Sequence, residues 1–253
     1  MAHQSTTTTP PAEEPQIEVI DREEDIIAGF DCACNAFGDQ VRDTLWIAMN
    51  PGWDTREGRS RAAAKLVEKW RNITYDSRGN ANTIFLKATV SDQGRPVVAG
   101  FAVWDQLSMV EGQGEQPPDD QRIASDIAAL YPNDEVEQRY LYQVMRSFVK
   151  RRVEVVKEKT TSQPPAVMHL RSCSVDPAFQ RRGIALKLVQ WGLDEAQRRG
   201  GLEAITEASS MGRQVYSRLG FRGDSADMEY LVDSEFISRE RPPNLFMRTG
   251  SNQ

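Results

Sequence analysis

Six consecutive residues, Gln180-Arg181-Arg182-Gly183-Ile184-Ala185, put a glycine, a small residue and two cations directly ahead of a helical pattern. A turn of this composition opening straight into a helix aims unpaired backbone N–H groups at one point. That point attracts anions, phosphates above all. Arg181 and Arg182 can add charge-assisted contacts to phosphate. At Gly183 a side chain would obstruct the backbone's approach or demand an unfavourable φ. Two other residue types suit proton transfer. His169 is the only histidine outside residues 1–15, and an imidazole pKa of about 6.5 suits proton removal. Tyr216 carries a phenol whose usual pKa of about 10 keeps it a donor at neutral pH. Cys173 has no evident histidine–carboxylate relay and is not read as a nucleophile.

The elements that must position these groups follow from periodicity. Residues 167–175 read as a strand, which Asp176-Pro177 stops because proline cannot continue a central ladder. From Leu186, the residues Leu186, Val189, Leu193 and Ala196 recur at helical spacing, and Gly200-Gly201 ends that helix after Arg198-Arg199. Upstream, residues 17–20 read as a first strand, and Asp21 is expected to cap a helix to about residue 36 with Ile26, Ile27, Phe30 and Cys34 on one face. Residues 37–53 are aromatic and apolar with an Asn50-Pro51-Gly52 turn. Residues 58–71 form a helix with Ala62, Leu66 and Trp70 inward. Residues 84–90 and 96–104 form a hairpin around Asp92-Gln93-Gly94-Arg95. Residues 111–120 read as a polar linker and 132–159 as a long helix with a strongly charged outer face, carrying Val136, Tyr140, Val144, Phe148 and Val155 at helical spacing. Residues 202–208 are a strand, 212–219 a short helix, and 228–232 with 245–248 the last hairpin. Residues 1–15 are Thr-, Pro- and Glu-rich and are expected to be disordered.

This arrangement resembles the GNAT superfamily of N-acetyltransferases. The family's loop, Gln/Arg-x-x-Gly-x-Gly/Ala, matches Gln180, Gly183 and Ala185. Val175-Asp176-Pro177 matches its Val-x-Pro strand end, and residues 216–221 match its Tyr-x-x-x-Gly-Phe element. The layout, with the Trp53 region and a long mid-chain insertion, is similar to fungal GNAT proteins of unassigned substrate. The resemblance implies an α/β GNAT fold: a mixed, mostly antiparallel twisted sheet splayed between strands four and five, flanked by helices, with a helical insertion at 105–166 between strands three and four. It implies one domain over residues 16–250. Acetyl-CoA would lie between the splayed strands, its pantetheine along the backbone of Cys173, Ser174 and Val175. Its pyrophosphate would meet the segment Gln180, Arg181, Arg182, Gly183, Ile184 and Ala185. Tyr216 matches the family's general acid. His169 matches the strand-four position where the histone-acetyltransferase branch places its base. Two readings of His169 stand here, a base or a half-buried histidine hydrogen-bonded within the sheet. Arg171 and Glu207 could also face the cleft, Glu207 to hold a cationic acceptor or to make a structural salt bridge.

The expected activity is acetyl-CoA-dependent transfer of an acetyl group to a primary amine of a small molecule or peptide. The alternative from another class is a non-catalytic GNAT-like acyl-CoA-binding sensor or scaffold. An intact loop together with Tyr216 favours catalysis. The insertion is expected to shape the acceptor pocket or a dimer contact, so the chain is read as a monomer or homodimer. A net charge of -6 and a pI near 5.2 argue against general nucleic-acid binding. Three cysteines make no disulfide framework. Cys32 and Cys34 read as reduced core thiols, and no metal site is expected. No apolar run approaches a membrane span and residues 1–15 lack a signal-peptide hydrophobic stretch, so a cytoplasmic location is expected.

Overall fold

The computed structural model describes residues 14–224 and 226–250. Of residues 1–15, expected to be disordered, 1–13 lie outside these, whereas Glu14 is placed and accepts from Lys187 Nζ at 2.9 Å. Strand β1 (Gln16–Val19) lies at one edge of the sheet. Helix α1 (Glu23–Ala33) carries Glu23, Glu24 and Asp25 in its first turn, where acidic groups complement the helix dipole. Its N-cap is Arg22, and Asp21 does not cap it. Ile26, Phe30 and Cys34 are buried as expected, whereas Ile27 is exposed. The chain continues as a wider π-helical segment (Cys34–Val41) that ends where Arg42 turns left-handed, φ 54°. Two capped helices follow. Asp43 accepts from Trp46 N at the start of α2 (Thr44–Met49), and Thr55 accepts from Gly58 N at the start of α3 (Arg56–Arg71). The buried stripe of α3 holds Ala63 and Val67, with Ala62, Leu66 and Trp70 only part-buried.

The hairpin forms as its turn residues predict. Strands β2 (Thr83–Asp92) and β3 (Arg95–Leu107) are joined by Gln93 and Gly94, both at positive φ. Between β3 and β4 (Val167–Val175) the chain makes two helices rather than one, α4 (Asp120–Leu130) and α5 (Glu135–Glu158), capped by Asp119 and Asp134. Helix α4 offers only Ile123 and Ile127 as buried anchors, a pattern too short to stand out in sequence. After β4 come α6 (Ile184–Arg198), β5 (Glu203–Ala208), α7 (Ser210–Arg218), β6 (Arg222–Gly223) and β7 (Leu245–Arg248). The last hairpin is a correction. β7 pairs with β6, and residues 228–232 form no strand. Their backbone is drawn onto α5 instead, where Leu231 N donates to Ser147 Oγ and the neighbouring Asp233 N to Gln143 Oε1.

Among the described residues seven strands run β1-β2-β3-β4-β5-β7-β6, with only the β4–β5 pair parallel. β3 pairs with β4 as far as Gly100 opposite Val175, whereas β4 pairs with β5 only from Val167 to Leu170. Thr206 Oγ1 donates to the Leu170 carbonyl at 3.0 Å, and β5 then turns its pairing to β7. The sheet therefore splays beyond Leu170, as expected. Just there, Arg171 has no partner opposite it on β3, a bulge between Leu170–Trp104 and Ser172–Val103.

One face of the sheet is covered by α6 and α7 over a core holding Leu86, Trp104, Met168, Leu170 and Leu188. The other face carries two separate packings. Phe85, Phe101 and Val103 pack under α1 and α3, and Val167, Ile205 and Phe246 pack under α5. Helix α6 sits close to the sheet because Gly192 has no Cβ. One built there would stand 2.0 Å from Cε2 of the fully buried Trp104. Gly192→Ala is therefore expected to lower stability by about 1–3 kcal/mol through overpacking. Urea unfolding measures it, and an unchanged midpoint would contradict the close approach.

Candidate active site

The turn after β4 is held from three sides. Asp176 Oδ1 accepts from Ala178 N at 2.9 Å and its Oδ2 accepts from Asn35 Nδ2 at 2.7 Å. Gln180 Nε2 donates to the Val175 carbonyl at 3.1 Å and to Gln40 Oε1 at 2.8 Å, while Gln180 Oε1 accepts from Gln40 Nε2 at 3.0 Å. All the amide hydrogens of Gln180 are thereby used in fixing the turn to the end of β4 and to the π-helical segment. Beyond it, Arg181 and Gly183 both adopt positive φ, 65° and 78°. Gly183 is the N-cap of α6 and brings no side chain, so the first amides of the helix have no capping acceptor. Nothing lies within 4 Å of where a Gly183 Cβ would be, so its conformation, not crowding, requires glycine. Arg181 and Arg182 are exposed and make no ion pair among the described residues. Arg182 lies over the Phe179 ring at 5.2 Å.

The turn is reached along the free edge of β4. Cys173, Ser174 and Val175 pair with Ala102, Phe101 and Gly100 on one side and with no strand on the β5 side. Burial pushes the Cys173 thiol up to about 12, which leaves it protonated at neutral pH. Tyr216, on α7, is buried with its ring 5.8 Å from that of Phe221. Burial raises its phenol well above 10 and the neighbouring Cys173 side chain adds to the effect, so the hydroxyl is a donor held near the open edge of β4. Cys32 and Cys34 are free and buried, as expected of core thiols, and burial pushes them up to about 12 and about 11.

On the opposite face of the sheet, in the gap between the two helix packings, the chain assembles a buried charge network. His169 is 1% exposed, and its Nε2 lies 2.9 Å from Glu207 Oε2. Arg152 Nε donates to Glu207 Oε1 at 2.8 Å. On the other side, His169 Nδ1 stands 3.6 Å from Asp105 Oδ2 and has no hydrogen-bond partner. Asp105 is held bidentately by Arg171, Nε and Nη2 each at 2.6 Å, and accepts from Thr83 Oγ1 at 2.9 Å. Burial alone would raise Glu207, but Arg152 and His169 outweigh it and hold the carboxyl at about 2. Burial would likewise raise Asp105, and Arg171 with His169 instead hold it well below the usual carboxylate range. Tyr230, from the loop before β7, adds a phenol raised by burial, with Asp43 and Glu207 adding to that effect.

The structure thus gathers the predicted site residues into two groups. Gln180, Arg181, Arg182, Gly183, Ile184 and Ala185 form the turn at the end of the edge made by Cys173, Ser174 and Val175, with Tyr216 beside it. His169 lies among charges beneath the sheet, with Glu207 and Arg171 as its company. Sequence reasoning missed Asp105 and Arg152. Asp105 interrupts the apolar run of β3, and an acidic residue inside a buried strand was its signal. Arg152, one of many charges along α5, is buried and paired. Both network carboxylates have folded-state values below the unfolded ones, so they stabilise above the unfolded pKa and lose that contribution as pH falls. Stability is therefore expected to drop from about pH 4.5 towards about pH 2, and Glu207→Gln to flatten that fall. Urea melts across this range measure it, and an equally steep fall in the variant would contradict it.

No curated protein matches the sequence. The family model described as acetyltransferase (GNAT) family matches residues 127–221, which takes in α5, β4, the turn, α6, β5 and α7. Among solved structures, arylalkylamine N-acetyltransferase 2 from Aedes aegypti aligns over 93% of this chain and 98% of its own, at 17% identity and a TM-score of 0.57. The polyamine N-acetyltransferase of Drosophila melanogaster aligns over 93% and 97%, at 12% identity and a TM-score of 0.57. No helix among the described residues is long and apolar enough to cross a membrane. Residues 127–221 thus carry the sequence pattern of the GNAT acetyltransferase family, and the chain shares its fold with these solved acetyltransferases.

Proposed function

We propose that the protein is an acetyl-CoA-dependent N-acetyltransferase that moves an acetyl group directly to a primary amine. The observation that carries this reading is continuity. The strand edge of β4 left open beyond Leu170 runs directly into a turn with uncapped helix amides, and Tyr216 stands beside that edge. The residues fit the cosubstrate. The backbone at 173–175 can pair with pantetheine amides as an added strand. The amides at 181–185, Arg181 and Arg182 suit a pyrophosphate. Three free cysteines suit a reducing, cytoplasmic setting.

In the proposed reaction the acceptor nitrogen bonds to the thioester carbonyl carbon and the C–S bond breaks. A backbone N–H of the 173–175 segment supports the oxyanion. Tyr216 Oη donates its proton to the departing sulfur. The acceptor's proton passes through water to the buried network at His169, whose Nδ1 makes no hydrogen bond and stands 3.6 Å from Asp105 Oδ2. The neighbours named above act on amines, which supports an amine acceptor here. Residues 16–250 act as one unit in this reading, since the segment between β3 and β4 supplies Arg152 to the network.

Steady-state thiol release with a panel of primary amines tests the proposal. The parent protein is expected to turn over at least one of them. Tyr216→Phe should lower kcat by about 10²–10⁴ and leave KM for acetyl-CoA nearly unchanged. Equal turnover would remove Tyr216 from the acid role. Cofactor binding without transfer to any amine would favour the acyl-CoA-binding module.

A further inference from the structure

We propose that Arg152, carried by α5, is a positioning residue that sets the proton state of His169 through Glu207. The inference rests on the reading above, in which His169 receives the acceptor's proton. His169 sits in a five-membered row, Arg171–Asp105–His169–Glu207–Arg152, drawn from β3, β4, β5 and α5. Two guanidiniums face two carboxylates, so the row is neutral when the imidazole is neutral and gains one charge when it is protonated.

Each end of the row has a distinct task. Arg171 and Thr83 occupy both oxygens of Asp105. Arg152 occupies one oxygen of Glu207 and leaves the other for His169 Nε2. Both ring nitrogens face a carboxylate, and only Glu207, at 2.9 Å against 3.6 Å for Asp105, is within hydrogen-bond reach, so the neutral ring carries its proton on Nε2 and turns an unprotonated Nδ1 toward Asp105. That Nδ1 is the buried, unpartnered atom. Glu207 is the ion-pair partner Arg152 has among the described residues, and Arg152 is itself buried. Further charges stand outside the row. Lys69 of α3 lies near Arg171 and Asp105, and Tyr230 and Asp43 lie on the Glu207 side.

Without Arg152, Glu207 would be a buried carboxylate whose remaining partner is His169. An uncompensated buried charge is costly, and the imidazole relieves it by holding a second proton. A ring that is already protonated cannot accept the acceptor's proton. Arg152 thus compensates Glu207 in place of a second imidazole proton, which gives α5 a task in the chemistry rather than only a wall of the fold.

The test compares the parent with Arg152→Met and Arg152→Lys, measuring kcat/KM against pH and the ¹⁵N signals of the imidazole. The chain holds two histidines, His3 and His169, so His169→Gln assigns the ring. Arg152→Met is expected to move the acid limb of kcat/KM upward by about one pH unit. In it the doubly protonated ring should persist at pH values where the parent ring keeps only its Nε2 proton. Arg152→Lys, which restores the charge, should bring the limb back toward the parent position. Arg152→Gln replaces Arg152→Met if the latter fails to fold. An unmoved ring signal in the charge-removing variant, or a uniform loss of activity with no movement of the limb or ring, would overturn the proposal. A moved ring signal with a static limb would uphold the hold of Arg152 on the ring and remove His169 from the transfer.

Discussion

Beyond Leu170, strand β4 is hydrogen-bonded on one side only, and the rest of the molecule is arranged around that single-sided backbone. Thr206 makes the break definite. Its hydroxyl takes the Leu170 carbonyl that the ladder would otherwise extend past, while β5 gives its remaining residues to β7. An unpaired strand edge inside a sheet is unfavourable unless something pairs with it or water reaches it. Here the open edge is shortened by the bulge at Arg171 and terminated by Asp176-Pro177. It leads straight to the amides of α6. The same backbone thus presents an unpaired strand edge and then uncapped helix amides, with no side chain required to specify either.

A second constraint is electrostatic. Burying two carboxylates, the Arg152 guanidinium and an imidazole costs desolvation, and such groups are tolerated only when each charge is met by another and by hydrogen bonds, as the more exposed Arg171 does for Asp105. The row beneath β4 meets that condition at every atom but His169 Nδ1. Its members come from four elements far apart in sequence, so the network also ties α5 to the sheet at β5. The position of α5 is set by apolar packing of Val155 and Val156 against Val167, Ile205 and Phe246, and the arginine rides on that packing.

What was legible in the sequence was what local chemistry dictates. The stop at Asp176-Pro177, the turn at Gly183 and the spacing of α6 each follow from a few adjacent residues, and the structure forms all three. The hairpin around Gln93-Gly94 was legible for the same reason. The illegible parts depend on contacts between distant segments. Residues 228–232 alternate like a strand, but side chains of α5 capture the backbone there and displace any pairing. Arg152 looks like any cation on a charged helix until Glu207 is placed opposite it. Helix α4 announces itself with two isoleucines only. Asp105 was the recoverable miss, since a carboxylate within a buried strand demands a partner.

The most direct test of the central claim, that the open edge and its turn form a site for acetyl-CoA, is thermal melting with acetyl-CoA, CoA and ATP in turn. At a hundredfold excess over Kd a specific ligand adds about 2.7 kcal/mol. For a chain of this size the Tm should then rise by about 5–10 °C. The account predicts that rise with acetyl-CoA and CoA and none with ATP. No rise with either thioester or free thiol would contradict it and remove the cofactor site on which the proposed activity stands.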